Sequence, residues 1–182
     1  MKRRTFNLAL CGIISALGVT VLMLTLIVPI ATYACSAFAG MLITVLVIEC
    51  NKKWAISSFI VVSIISAIIV PDKEAVVFYI LLFGYYPIVK EIIEGSVGNM
   101  FLQLVTKVAN FVASAVVSYL VSIYILGIPT DEFDLFGLHL PLVLLFLGII
   151  VFVVFDYAFT GLITNYVEKY RHKLIGKIKI LD

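Results

Sequence analysis

Charge is what this chain has least of. Only 13% of its 182 residues are Asp, Glu, Lys or Arg, about half the share of a soluble domain, while 63% are hydrophobic and the mean hydropathy is +1.20. A soluble fold of this size needs a charged shell, so its absence excludes water as the surrounding solvent and leaves lipid against the apolar surface. The formal net charge of +2 excludes a nucleic-acid partner, because the few basic residues sit at segment ends and form no aromatic-interleaved patch. Cysteine is scarce too: Cys11, Cys35 and Cys50 make no CxxC or Cys/His cluster, which excludes a zinc site and reads as three inert small hydrophobes. His139 and His172 fall in a loop and a basic tail, so neither is expected to bind metal. Catalytic signatures are missing as well, with no HExxH, no GxSxG, no phosphate-cradling Gly-Lys-Ser/Thr and no intramembrane aspartate cluster. The chain is therefore expected to be neither an enzyme nor a cofactor carrier. An energy-driven role would have to borrow a partner's nucleotide hydrolysis.

What is present is a series of apolar stretches, each about as long as the roughly 20-residue helix that crosses 30 Å of hydrocarbon. The expected architecture is all-α, one membrane domain over residues 1–182, with six spans near 6–28, 31–48, 54–70, 75–89, 103–126 and 141–165. Pro29 breaks the first span, since proline lacks the backbone donor and clashes with the preceding turn. Glu49-Cys50-Asn51-Lys52-Lys53 is a polar connector with Trp54 at an interface, and Pro71-Asp72-Lys73-Glu74 is a turn. The fourth span ends at Lys90 and carries Gly84, Tyr85, Tyr86 and Pro87, a composition that predicts a kink or tilt. From Lys90 to Asn110 apolar residues alternate with Glu91, Glu94, Gln103 and Lys107, which suits a surface helix leading into a fifth span that starts at Gln103 or Asn110. Gly127 to Asp134 is an acidic loop, and Pro141 opens a last helix reaching about Tyr170. Lys2-Arg3-Arg4 before an apolar run imitates a secretory signal, but the run from Phe6 to Val28 exceeds a signal's apolar region. Thr32-Tyr33-Ala34-Cys35 fails as a lipoprotein cleavage site because tyrosine stands where a small residue belongs.

Lysine and arginine are retained on the cytoplasmic side of short loops. With the N-terminus inside, Lys2, Arg3, Arg4, Lys52, Lys53, Lys90, Lys169, Arg171, Lys173, Lys177 and Lys179 all fall inside and Lys73 alone outside. The outer connectors hold Asp72, Glu74, Asp131, Glu132 and Asp134. Six spans with both termini cytoplasmic is the consistent solution.

A charge at a helix centre in hydrocarbon costs about 2.5–3.5 kcal/mol on insertion scales, so such groups pair or line a cavity. Lys107 in the fifth span and Asp156 in the sixth lie at depths within about one helical turn, and are predicted to pair. Two readings stay open: with Asn110 they fix helix packing, or they form a polar site or gate. Small residues at four-residue spacing, Gly12, Ala16 and Thr20, let another helix approach closely, and Ala31, Cys35 and Ala39 make a second row. Packing inside the monomer and a docking face for another subunit both fit. Tyr33, Phe78, Tyr79, Tyr119, Tyr124, Phe133 and Phe136 gather near the outer ends, as an interfacial belt or as a pocket for a flat organic solute.

In architecture the whole chain resembles the substrate-binding S components of energy-coupling factor transporters, six-helix membrane proteins with both ends inside. The residues that carry the resemblance are the row Gly12, Ala16, Thr20, similar to the family's Ala-x-x-x-Ala coupling motif with Gly12 in place of the first alanine, and the Pro29–Tyr33 connector behind it. Pro71-Asp72-Lys73-Glu74-Ala75 followed by Phe83-Gly84-Tyr85-Tyr86-Pro87 looks like an uncharacterised bacterial branch. The resemblance implies a vitamin-like small-molecule solute held among Tyr33, Tyr79 and Tyr119, with Asn110 a further candidate, and contact of the Gly12 row with a transmembrane coupling subunit that sits with an ATPase pair. It also implies the bacterial cytoplasmic membrane. A non-transporting six-helix scaffold of a cell-shape complex, using the basic tail from Glu168 to Lys179, is the competing expectation.

Overall fold

In hydrocarbon every backbone donor and acceptor must be satisfied within the chain, so an apolar stretch of this length folds as a helix. The computed structural model describes residues 2–28, 31–124 and 141–171, which are helical apart from short connectors and contain no strand. Its helices are α1 (Lys2–Met23), α2 (Thr32–Glu49), α3 (Lys52–Ile69), α4 (Lys73–Phe78), α5 (Tyr86–Ser96), α6 (Met100–Tyr124) and α7 (Pro141–Asn165). Six stretches among the described residues are long and apolar enough to cross a membrane: Arg3–Leu26, Thr32–Glu49, Lys52–Ile69, Lys73–Ser96, Met100–Tyr124 and Leu145–Glu168. Pro29, the acidic loop at 127–134 with Phe133 and Phe136, His139, and the tail from His172 lie outside the described residues.

Because the spans alternate in direction, Arg3, Arg4, the connector at Cys50-Asn51 and the connector at 97–99 share one end of the bundle, called here the basic end. Lys52 pairs with Glu91 at 3.2 Å and Tyr166 donates to Glu49 at 3.4 Å on that side. At the opposite end Asp72 caps α4 by accepting from the Ala75 N–H at 3.1 Å, and takes the Thr32 hydroxyl at 3.1 Å, so α2 and α4 start from one carboxylate. Lys73 donates to the carbonyls of Ala67 and Val70, each at 2.8 Å, closing the end of α3.

The fourth span is longer than expected. It runs from Lys73 to Ser96 as α4, a π-helical turn over Tyr79–Phe83 and α5, so the short 75–89 segment and the separate surface helix after Lys90 are both corrected. The physical reason is that Lys90 and Glu94 lie on one helix face with Tyr86 and find partners inside the bundle, so their charge does not mark a boundary. The fifth span accordingly starts at Met100, ahead of both Gln103 and Asn110. The kink expected from Gly84 and Pro87 takes the form of the π turn: Gly84 N–H bonds the Tyr79 carbonyl at 2.7 Å, five residues back, and Pro87 sits in the first turn of α5 where its missing donor costs nothing.

This span is the centre of the bundle, with 44% of its most apolar window buried against 11% for α6 and 17% for the last span. Leu22, Ala39, Val62, Val76 and Tyr79 make the core of the half away from the basic end, and Ile14, Ile43, Leu46, Ala55 and Ile88 that of the basic half. A Cβ added at Gly40 would strike the backbone carbonyl of Phe83, so this glycine is what lets α2 lie against the π turn. The last helix joins through an aromatic cluster, with Phe152 stacked on Phe111 at 4.4 Å and edge-on to Tyr86 at 5.2 Å.

Candidate functional site

Asp156 is the one charge between Leu145 and Asn165, and Lys107 the one between Met100 and Tyr124. The structure brings them together, Lys107 Nζ lying 3.1 Å from Asp156 Oδ2. They do not stand alone. Lys90, only 1% exposed, reaches Asp156 Oδ1 at 2.5 Å, Glu94 at 2.9 Å and the Thr160 hydroxyl at 2.8 Å. Tyr86 donates its hydroxyl to the same Asp156 oxygen at 2.5 Å, and Lys107 also meets Glu94 at 2.6 Å. Two lysines and two carboxylates thus balance in charge and tie the fourth, fifth and sixth spans together, about 10 Å inside the basic end at 1.5 Å per residue.

An ammonium has three donors, and Lys90 spends all three on protein groups. Lys107 meets both carboxylates, so among the described residues each charge of the cluster is balanced by another member. Its chemistry is that of a clamp among three helices. The expectation of a simple pair is therefore corrected to a six-residue network, whose members Lys90, Glu94, Tyr86 and Thr160 the sequence reading did not assign to a site. Tyr86, Lys90 and Glu94 at four-residue spacing were the available signal, since on a helix they form one polar face at the level of Lys107.

Asn110 belongs to a neighbouring group. Tyr85 donates to Asn110 Oδ1 at 2.8 Å and makes a close hydroxyl contact with Ser114. These residues sit at the midpoints of Lys73–Ser96 and Met100–Tyr124, about as far from either interface as the spans allow.

The three candidate tyrosines have different surroundings. Tyr33 is half exposed at the opposite end, donates to Glu74 at 3.0 Å and packs on Phe78 with ring centroids 4.7 Å apart. Tyr79 is fully buried against Phe59, and its hydroxyl has no partner among the described residues. Tyr119 is half-buried on α6. Ser66, Ser118 and Ser122, in the half away from the basic end, share the condition of Tyr79: 0–1% exposed, with hydroxyls lacking a partner among the described residues. Ser118 and Ser122 continue, at four-residue spacing, the face of α6 that carries Lys107 and Ser114.

The two small-residue rows separate. Cys35 and Ala39 are buried in the bundle. Gly12, Ala16 and Thr20 are all exposed, and a Cβ at Gly12 would meet nothing within 4 Å among the described residues. Among the described residues internal packing therefore accounts for Cys35 and Ala39 and not for the first row. Among the described residues no group of three or more His, Cys, Asp or Glu side chains could hold a metal ion. Cys50 lies between the second and third spans, where burial, with smaller contributions from Cys11 and Glu49, pushes its thiol above the usual range.

Comparison with protein-family models, with curated proteins and with solved structures finds no match to this chain.

Proposed function

We propose that this chain is the membrane-embedded substrate-capture subunit of an ATP-driven micronutrient importer, an S component of the energy-coupling factor type, with ATP hydrolysis supplied by partner subunits. The observation that carries the proposal is the uncovered row Gly12, Ala16 and Thr20. In lipid the apolar effect between helices is absent, and close approach at small residues is what joins them. A row of that kind facing away from its own bundle fits a helix of another subunit. The hydroxyls of Tyr79, Ser118 and Ser122, unpartnered among the described residues, supply the second requirement, polar groups in the far half whose desolvation a vitamin-like solute would relieve. In this reading Arg3, Arg4, Lys52 and Lys53 hold the basic end on the cytoplasmic side of a bacterial plasma membrane, so both termini are cytoplasmic and the hydroxyls lie towards the exterior.

Purification from native membranes, followed by mass spectrometry of co-purifying proteins and released small molecules, tests the proposal. The expected result is a coupling subunit, a pair of ATPases and a stoichiometric solute. Ala16→Trp should remove the partner subunits and leave the solute bound. A pure chain carrying neither would overturn the reading and pass the assignment to a non-transporting scaffold.

A further inference from the structure

Between α3, the fourth span and α6 runs a groove of about 470 Å³, open to the surrounding hydrocarbon. Phe59, Ile80, Leu81 and Val117 wall it, and the hydroxyl-bearing Tyr85 and Ser114 are its polar floor. The π turn makes this wall, because its extra residue turns Tyr79 into the core and leaves Ile80 and Leu81 partly exposed. Such turns recur at functional sites.

Depth and hydrogen-bond capacity together define the occupant. Tyr85 and Ser114 lie near the midpoints of their spans, roughly 15 Å from the level where phospholipid head groups reside. Phospholipid therefore presents only the ends of its acyl chains there and leaves the floor unused. Tyr85 has one proton, which goes to Asn110 Oδ1 at 2.8 Å. In the close contact between Tyr85 and Ser114 the donor is then Ser114, so the lone pairs of Ser114 Oγ stay open as acceptors. An open acceptor in an apolar groove matches an uncharged hydroxyl, which can donate to it. A charged head group at this depth would cost several kcal/mol without a counter-ion, and the lysines and carboxylates of the clamp are already paired.

We infer that the groove binds a membrane-dissolved amphiphile bearing one uncharged hydroxyl, a long-chain or polycyclic alcohol whose apolar body lies between α3 and α6 and whose hydroxyl meets Ser114. The inference goes beyond the importer reading and needs neither partner subunits nor ATP.

The test uses the full chain alone in phospholipid nanodiscs, with a long-chain alcohol carrying a photoactivatable diazirine and the matched alkane that lacks the hydroxyl. The alcohol should label Leu81 or Val117 roughly five-fold more than the alkane, the ratio that one net hydrogen bond supports. Ala113→Trp fills the groove from the lipid-exposed side and should abolish the preference, and Ser114→Ala with Tyr85→Phe should reduce the alcohol to the alkane level. Equal labelling by the two probes, or an undiminished preference in Ala113→Trp, would overturn the inference. Should the double variant fail to fold, Ala113→Trp decides alone. Because no partner is present, failure here leaves the importer reading standing, and loss of that reading leaves this result intact.

Discussion

The two halves of the bundle differ in the kind of polar group they bury. Near the basic end four ionisable groups are buried or half-buried, and every one has a charged partner within 3.1 Å. In the far half Tyr79, Ser66, Ser118 and Ser122 are buried as deeply, yet none of their hydroxyls has a partner among the described residues, a condition that Thr44 shares in the basic half. The difference follows from the size of the penalty. An unpaired charge inside protein costs several kcal/mol, so the sequence can place lysine there only together with carboxylate. An unpaired hydroxyl costs about 1–3 kcal/mol, which a six-helix bundle tolerates and which a ligand or water can recover. Buried charges therefore come with partners, whereas a hydroxyl can be buried without one.

The largest effect should come from opening the clamp. Asp156→Ala leaves Lys90 and Lys107 with Glu94 alone, whose side chain is 37% exposed. Breaking a buried ion network in this way costs about 3–5 kcal/mol, measurable as a shift in unfolding by denaturing detergent titrated into mild micelles. Adding Lys90→Met to Asp156→Ala removes one charge of each sign, leaves the pair of Lys107 with Glu94, and should recover most of the loss. A cost below about 1 kcal/mol for Asp156→Ala would show that water already screens the cluster, and the contrast between the halves would disappear.

A smaller effect belongs to the place where the halves meet. A Cβ at Gly84 would lie 2.7 Å from the Tyr79 carbonyl and 2.8 Å from Tyr79 Cζ, and at Gly40 it would strike the Phe83 backbone. Gly40→Ala and Gly84→Ala should each lose about 1–3 kcal/mol, the usual cost of overpacking. Gly12→Ala, on the uncovered row, should leave the isolated chain unchanged or raise its stability by up to about 1 kcal/mol through helix propensity. Equal losses at all three positions would mean that the Gly12 row is covered in the monomer after all.

The six spans were legible because lipid imposes one rule on the whole chain: apolar length makes helix, and the sequence satisfies it repeatedly. Meeting of Lys107 and Asp156 was legible for a related reason, since two lone charges at similar depth have few other partners. Lys90 was misread because charge served as the boundary signal, and that signal fails when the charge is neutralised by distant residues: Asp156 lies 66 positions away. The π turn was legible only as a kink at Gly84 and Pro87, because its register depends on how Phe83 packs against Gly40. Burial of Tyr79 was hidden by its position near a span end, where tyrosine usually sits at the interface. Which small-residue row faces lipid depends on helix rotation, and both rows have the same spacing in sequence.

The smallest effect is the sharpest probe of the hydroxyl half. Ser118→Ala, Ser122→Ala and Tyr79→Phe each remove a buried group that has no partner among the described residues, so each should leave stability unchanged or raise it by up to about 1 kcal/mol. Serine to alanine also improves helix propensity, which acts in the same direction. The same detergent titration reads the change, with Ser57→Ala as the reference because that exposed hydroxyl already bonds the Lys53 carbonyl at 3.0 Å. A loss of about 1 kcal/mol or more at Ser118 or Ser122 would mean that the hydroxyls are satisfied in the membrane, by water or by a retained solute. Repeating the titration after exhaustive delipidation then separates the two sources, since a solute would wash out and water would not.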